Sequence, residues 1–176
     1  MTSILKVDNI QKANGSVPKA SDLGLNTTGN VLQVVQGTKI TSHAITNTSY
    51  SSSGLTVNIT PTSSSSKVLV TCNWWAGYPS QNYGMTLTLY RDSTNLDLSS
   101  PRTGFTHIGN STGGFQRTYQ GLDMSCQFLD SPNTTSETTY GLYYKMDGGV
   151  GYFNMNQNGD SASKQTCVIT AMEIEG

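Results

Sequence analysis

Charged residues, histidines, cysteines and long apolar runs are all scarce in this chain. Aspartate, glutamate, lysine and arginine make up 12% of its 176 residues, whereas a typical soluble domain has roughly 25%. The 10 basic and 11 acidic residues nearly cancel, and the basic ones form no cluster. No surface is therefore expected to hold a phosphate backbone, and we expect no nucleic-acid partner.

Long apolar stretches are missing too. No run of about 18 apolar residues occurs, and the first residues lack the apolar core of a secretory signal. We therefore expect no membrane insertion, and synthesis in a cytoplasm. The cysteines, Cys72, Cys126 and Cys167, are odd in number and widely spaced, so we expect reduced thiols that pack as small apolar residues.

Residues that carry out catalysis are also few. The two histidines, His43 and His107, lie in no pattern with metal-ligand spacing, and the motifs of a nucleophile elbow or a phosphate loop do not occur. The carboxylates Asp97, Asp123 and Asp130 would cleave a glycan only if two of them faced each other across a cleft. We expect no enzyme, no metal and no cofactor, with a glycan-cleaving enzyme as a rival hypothesis.

Serine, threonine, asparagine and glycine supply the polarity instead. Serine, threonine and asparagine bond to nearby backbone and disfavour helix interiors. The longest apolar stretch, residues 67–78 (KVLVTCNWWAGY), contains both tryptophans, and its β-branched and aromatic residues favour a strand. One face of that strand would carry Val68, Val70, Cys72 and Trp74, and the other Leu69, Thr71, Asn73 and Trp75. We predict a central strand with Trp74 in the core.

Alternating apolar residues bounded by turns mark the other predicted strands. They are 31–40, 42–46, 55–59, 85–91 with a hairpin partner at 96–98, 119–129, 140–146, 152–155 and 168–174. This pattern predicts about eight to ten short antiparallel strands, an all-β antiparallel β-sandwich or jelly roll over residues 41–176. The last strand is apolar on both faces, so we expect it to be interior or to contact another copy.

The first 40 residues form a second predicted unit, an extended N-terminal arm. Its apolar side chains are scattered among glycines and polar residues, so it cannot build a core of its own. Such a segment orders when it binds another chain. The candidate anchoring residues are Ile4, Leu5, Val7 and Ile10, and the alternative is a leader without fixed structure.

Aromatic side chains near the predicted loops are candidates for contact with a partner or a glycan. Loops often carry binding residues, and the apolar faces of sugars stack on exposed aromatic rings. The candidates are Trp75, Tyr78, Tyr83, Phe105, His107 and Phe115. The alternative for the tryptophans and their neighbours is a place in the core or in a subunit interface, where aromatic residues are enriched.

Four stretches resemble a known group of proteins: ILKVDNIQKANGS, SSSSKVLVT, FLDSPNTTSETTYGLYYK and TAMEIEG. Together they are similar to small structural or tail-fibre-like virion proteins of marine tailed bacteriophages, of the cyanophage and pelagiphage type. The resemblance covers nearly the whole chain, and its motifs are structural. It implies a virion component with a C-terminal β-sandwich that forms a homotrimer, similar to the tumour-necrosis-factor-like jelly roll.

The resemblance also implies a function. The chain would be a non-enzymatic structural protein of the tail or tail fibre, attached to another virion protein by residues 1–40 and exposing residues 41–176 towards the host, where a surface glycan is a further candidate partner. A capsid decoration protein and a lectin-like carbohydrate-binding module are the alternatives.

Overall fold

The computed structural model of this protein describes residues 11–18, 22, 29–77, 83–96, 106–109, 121–155 and 164–176, with the backbone alone at 106–109 and 121. Within these ranges the regular structure is antiparallel β-sheet. The strands are β1 (Val31–Lys39), β2 (His43–Ile45), β3 (Ser51–Ile59), β4 (Lys67–Gly77), β5 (Gly84–Arg91), β6 (Thr94–Asn95), β7 (Thr106–Gly109), β8 (Gly121–Asp130), β9 (Thr138–Met146), β10 (Gly151–Phe153) and β11 (Cys167–Ile174).

The larger sheet, sheet A, is built around β4. Strand β8 pairs with β4 along its whole length on one side. On the other side β4 pairs with β11 from Lys67 to Asn73 and with β10 at Ala76 and Gly77. Strand β1 extends the sheet beyond β11, and β2 extends it beyond β10. The long apolar segment is therefore a central strand, as predicted.

The smaller sheet, sheet B, has the order β3, β9, β5, and both β6 and β7 pair with the far side of β5. The hairpin predicted after β5 is confirmed by the pairing of Tyr90 with Asn95 and of Arg91 with Thr94. Asp92, at the turn, has a positive φ of 52°, which aspartate tolerates better than most residues.

The core lies between the two sheets. From sheet A it takes the inward residues of β4 and β11, and from sheet B those of β3, β5 and β9. Full burial of one Val, Leu, Ile or Phe side chain contributes about 1.5–3 kcal/mol. The largest side chains under 2% exposed include Tyr140, Phe153, Leu55, Leu87 and Ile169. The all-β antiparallel sandwich predicted from the sequence is thus the fold.

Two details differ from the simplest reading of the pattern. In β5 the apolar residues alternate with Thr86 and Thr88, yet these two threonines are 1% and 0% exposed, because this face of the strand is covered as well. Strand β1 lies within the first 40 residues and still pairs with β11 from Val31 to Lys39. The β domain therefore includes residues 31–39, and the anchoring role of the preceding residues remains a prediction.

Candidate interaction surfaces

An apolar row crosses the outer face of sheet A. Register places Val34 of β1 opposite Met172 of β11, Met172 opposite Leu69 of β4, and Leu69 opposite Leu129 of β8. Directly opposed residues of an antiparallel pair lie on the same face. Val34 is 57% and Leu129 48% exposed, and the two inner members are partly exposed. We call these four residues the apolar row.

The surroundings of the apolar row are nearly uncharged. Beside it at one end, Val31 is 56% and Leu32 43% exposed, and Val31 pairs with Ile174. On its other side lies a row of neutral polar residues in register, Gln36, Thr170, Thr71 and Gln127. The outward side chains of β1, β11, β4 and β8 carry charge only at Lys67 and Asp123, near opposite ends of the face. Contiguous exposed apolar surface is typical of interaction sites, so this face is a candidate for one.

The predicted aromatic contacts do not form one platform in the part of the chain that the structure describes. Trp75 faces the outer side of sheet A opposite Asp123, but it is only 8% exposed and offers little ring surface to a sugar. Tyr83 is 41% exposed, precedes β5 and lies against the backbone of Gly148. His107 pairs with Thr86 through its backbone, and its side chain lies outside the description.

The other predicted site residues lie outside the described ranges. They are Tyr78, Phe105 and Phe115 among the aromatic contacts, Asp97 among the carboxylates, and the anchoring residues Ile4, Leu5, Val7 and Ile10.

A tyrosine cluster on the outer face of sheet B was not foreseen. The rings of Tyr90 and Tyr143 stack with centroids 4.0 Å apart, and Tyr50 meets Tyr90 edge to face at 6.0 Å. The ammonium of Lys145 lies 4.9 Å from the centroid of the Tyr50 ring. All four side chains are partly exposed. Tyr90 and Tyr143 are 53 positions apart in the sequence and meet only through the pairing of β5 with β9.

Asp130 is part of a buried ionic contact between the sheets. It is 6% exposed and accepts hydrogen bonds from Arg91 at 2.9 and 3.0 Å and from the Tyr140 hydroxyl at 2.6 Å. Burial, and then the bond to Asp130, raise the pKa of Tyr140 far above its ordinary value.

Asp123 lies seven residues from Asp130 along β8, which at about 3.3 Å per residue is roughly 23 Å away. A glycosidase pair needs a separation of about 5–10 Å, so these two carboxylates cannot act together on one bond.

Glu173 of β11 is a fully buried carboxylate that contacts the start of the β3–β4 connection. Its oxygens accept hydrogen bonds from Gln33 Nε2 at 2.6 Å and from the amide and hydroxyl of Thr62 at 2.7 and 2.8 Å. Burial alone would raise the pKa of Glu173, but the hydrogen bonds outweigh it and lower the pKa to about 2. Glu173 therefore holds the connection against sheet A as an ionised acceptor.

His43, Cys72 and Cys126 pack against other side chains of the fold. His43 Nε2 lies 2.7 Å from the Tyr144 hydroxyl, and its ring stacks on Phe153. Burial, and then the charge of Lys39, lower the pKa of His43 below its ordinary value. Cys72 and Cys126 are directly opposed in β4 and β8, and their mutual hydrogen bond, followed by burial, holds the pKa of Cys72 well above its ordinary value.

One cavity opens beside Trp74, with a volume of about 290 Å³. It is lined by Asn73, Trp74, Asp123, Met124, Ser125 and Gln165. Trp74 is 3% exposed, and its buried indole N–H has no hydrogen-bond partner among the described residues. Among the residues that the structure describes, no group of three or more His, Cys, Asp or Glu side chains is arranged to hold a metal ion. In the same part of the chain, no helix is long and apolar enough to cross a membrane.

Comparison with known proteins yields distant structural likeness only. No protein-family model matches the chain, and no curated protein matches it either. Twelve chains of solved structures match. One is from a structure of infectious bursal disease virus, Gt strain, with a TM-score of 0.42, 11% identity, and coverage of 82% of this chain and 38% of that chain. Another is a VP2 mutant of the same virus in derived T=1 particles, with a TM-score of 0.42, 12% identity, and coverage of 80% and 36%. The chain thus spans less than two fifths of the length of these virus chains.

Proposed function

We propose that this chain is a non-enzymatic structural protein of a virion that works by associating with other protein chains. The observation that carries the proposal is the apolar row on the outer face of sheet A, flanked by neutral polar residues. A protein that acts by association needs such a surface, because burial of apolar area drives most protein assembly. The assignment to a virion rests on the sequence resemblance to virion proteins of marine phages.

Within the virion, we propose a tail fibre or tail-attached component of a tailed bacteriophage, with a trimeric β domain turned towards the host. Because β1 already belongs to sheet A, the attachment would reside in the residues before it, which contain Ile4, Leu5, Val7 and Ile10. A capsid decoration protein would use the same parts to bridge subunits of the head shell. The place of the protein on the particle separates these two roles.

Deletion of residues 1–28 tests the attachment. The deletion preserves the hydrogen bonds from Gly29 to Glu175 and from Glu175 to Asn30, as well as the whole of β1. We expect a folded β domain that is missing from purified particles, measured by quantitative mass spectrometry of virions assembled with the variant or the full chain. Incorporation of the shortened chain at the normal copy number would refute the anchoring role.

Immunogold labelling of virions that carry the full chain locates the protein on the tail or on the head.

A lectin-like module is the second candidate function, and the tyrosine cluster of sheet B is the observation that favours it. Tyr50, Tyr90 and Tyr143 offer partly exposed rings beside the ammonium of Lys145. If this cluster binds host surface glycans, Tyr143→Ala should abolish glycan-array binding that the wild type shows, while Tyr83→Ala should leave it unchanged. Absence of glycan binding by the wild-type protein would exclude this candidate.

A further inference from the structure

We propose that the outer face of sheet A binds the same face of a second copy of this chain, apolar row against apolar row. The inference rests on the self-association contained in the proposed function and names the surface and the partner. The contact is between two equivalent faces, so it joins copies in pairs.

The chemistry of the face is complementary to itself. The apolar row, Val34, Met172, Leu69 and Leu129, requires an apolar partner, and an identical row is one. The adjacent row reads Gln36, Thr170, Thr71, Gln127 across the same four strands, and this order is the same in both directions. Amides and hydroxyls both donate and accept hydrogen bonds, so this row can also pair with its own copy.

A twofold axis can run parallel to the strands, between β4 and β11. It places each row of one copy over the same row of the other copy, with the order of the strands reversed. Val34 of one copy then faces Leu129 of the other, and Met172 faces Leu69. Face-to-face sheets pack about 10 Å apart with nearly aligned strands, and such an isologous contact is the commonest form of self-association. The two charged residues of the face, Lys67 and Asp123, lie at its ends and outside the two central rows.

The size of the face fits a contact between copies. Four strands about 4.8 Å apart and eight residues long cover roughly 19 by 26 Å, or about 500 Å². A standard stable interface buries about 800 Å² on each partner, so this face supplies more than half of it. An identical face turned about the twofold axis presents the same four strands, so it covers this face strand for strand.

The mass of the purified full chain in solution, measured by light scattering, tests the pairing. We expect an even number of copies: two, or six if the proposed trimer also forms, in units of the 18.9 kDa chain. Val34→Glu and Leu129→Lys, each placing a charge in the apolar row, should each halve the mass. Asn58→Glu, on the exposed outer face of sheet B, is the matched control and should leave the mass unchanged. Circular dichroism checks that each variant is folded.

The double variant Val34→Glu with Leu129→Lys tests the twofold arrangement itself. If these positions face each other across the contact, their opposite charges should restore the wild-type mass.

A wild-type monomer or trimer would overturn the proposal, as would an even assembly that both single variants leave intact. Halved mass in both single variants without recovery in the double variant would overturn the row-on-row arrangement. If Val34→Glu does not fold, Val34→Gln takes its place for the loss of pairing. None of these results depends on virions, so failure here leaves the virion assignment standing.

Discussion

Ionisation of Glu173 should account for a large part of the acid sensitivity of this protein. The ordinary glutamate pKa of 4.5 is lowered to about 2 in the folded chain. A lowered pKa stabilises the fold when the pH is above the unfolded value, and this stabilisation is lost as the pH falls from about 4.5 towards 2. At about 1.4 kcal/mol per pKa unit, the full contribution at pH 7 is about 3 kcal/mol, of which about 2 kcal/mol is lost by pH 3.

Comparison of the wild type with Glu173→Gln isolates this contribution from those of the other carboxylates. The amide can still accept from Thr62, but its NH₂ group would then face the Nε2 donor of Gln33, which also donates to the Thr60 carbonyl at 2.7 Å. We expect the variant to lose about 2–3 kcal/mol of unfolding free energy at pH 7. At pH 3 the difference from the wild type should shrink to about 1 kcal/mol or less.

Urea unfolding at pH 7 and pH 3, followed by tryptophan fluorescence, measures both differences. Glu137→Gln, which changes an exposed carboxylate in the β8–β9 connection, is the control and should match the wild type within about 0.5 kcal/mol. An equal free-energy gap between wild type and Glu173→Gln at both pH values would refute the assignment of a low pKa to this group. A variant as stable as the wild type at pH 7 would refute the importance of the hydrogen bonds.

Three further stability predictions can be checked by the same urea titrations, followed by circular dichroism. Trp74→Ala removes a side chain that is 3% exposed and should cost about 3–5 kcal/mol; near-normal stability would mean that Trp74 is not a core residue. Asp130→Asn leaves the guanidinium of Arg91 without its carboxylate and should cost about 2–3 kcal/mol, at the lower end because Arg91 is partly exposed. Gly37→Ala brings a methyl group against the Thr56 carbonyl and should lower the free energy of unfolding by about 1–3 kcal/mol. An unchanged urea midpoint would show that β1 and β3 are further apart than described.

Local pattern was sufficient to predict most of the fold. Alternation identified β3, β4, β9 and β11 because one face of each strand is apolar and the period of 2 is readable from the sequence alone. The apolar residues on both faces of β11 correctly indicated an interior strand, since it lies between β1 and β4. Burial of Thr86 and Thr88 was not predictable, because small polar residues look alike whether solvent or another segment covers them.

The candidate surfaces could not be predicted, since they depend on register. Val34, Met172, Leu69 and Leu129 are far apart in the sequence and form a row only because three strand pairings align them. The same holds for the stacking of Tyr90 on Tyr143. Sequence reasoning chose Trp75 for its chemistry, whereas its 8% exposure is set by tertiary packing.

The pairing of the first strand with the last determines which end of the domain is available for display. Val31 lies opposite Ile174, and Gly29 donates its amide to the carbonyl of Glu175, so the chain enters and leaves the sandwich at one corner. The turn at residues 147–150, between β9 and β10, lies at the opposite end of sheet A, where Tyr152 pairs with Gly77. If residues before Gly29 fasten the domain to a particle, a label fused to the C-terminus would sit beside the attachment, whereas a short peptide inserted at residues 147–150 would be carried on the outermost end.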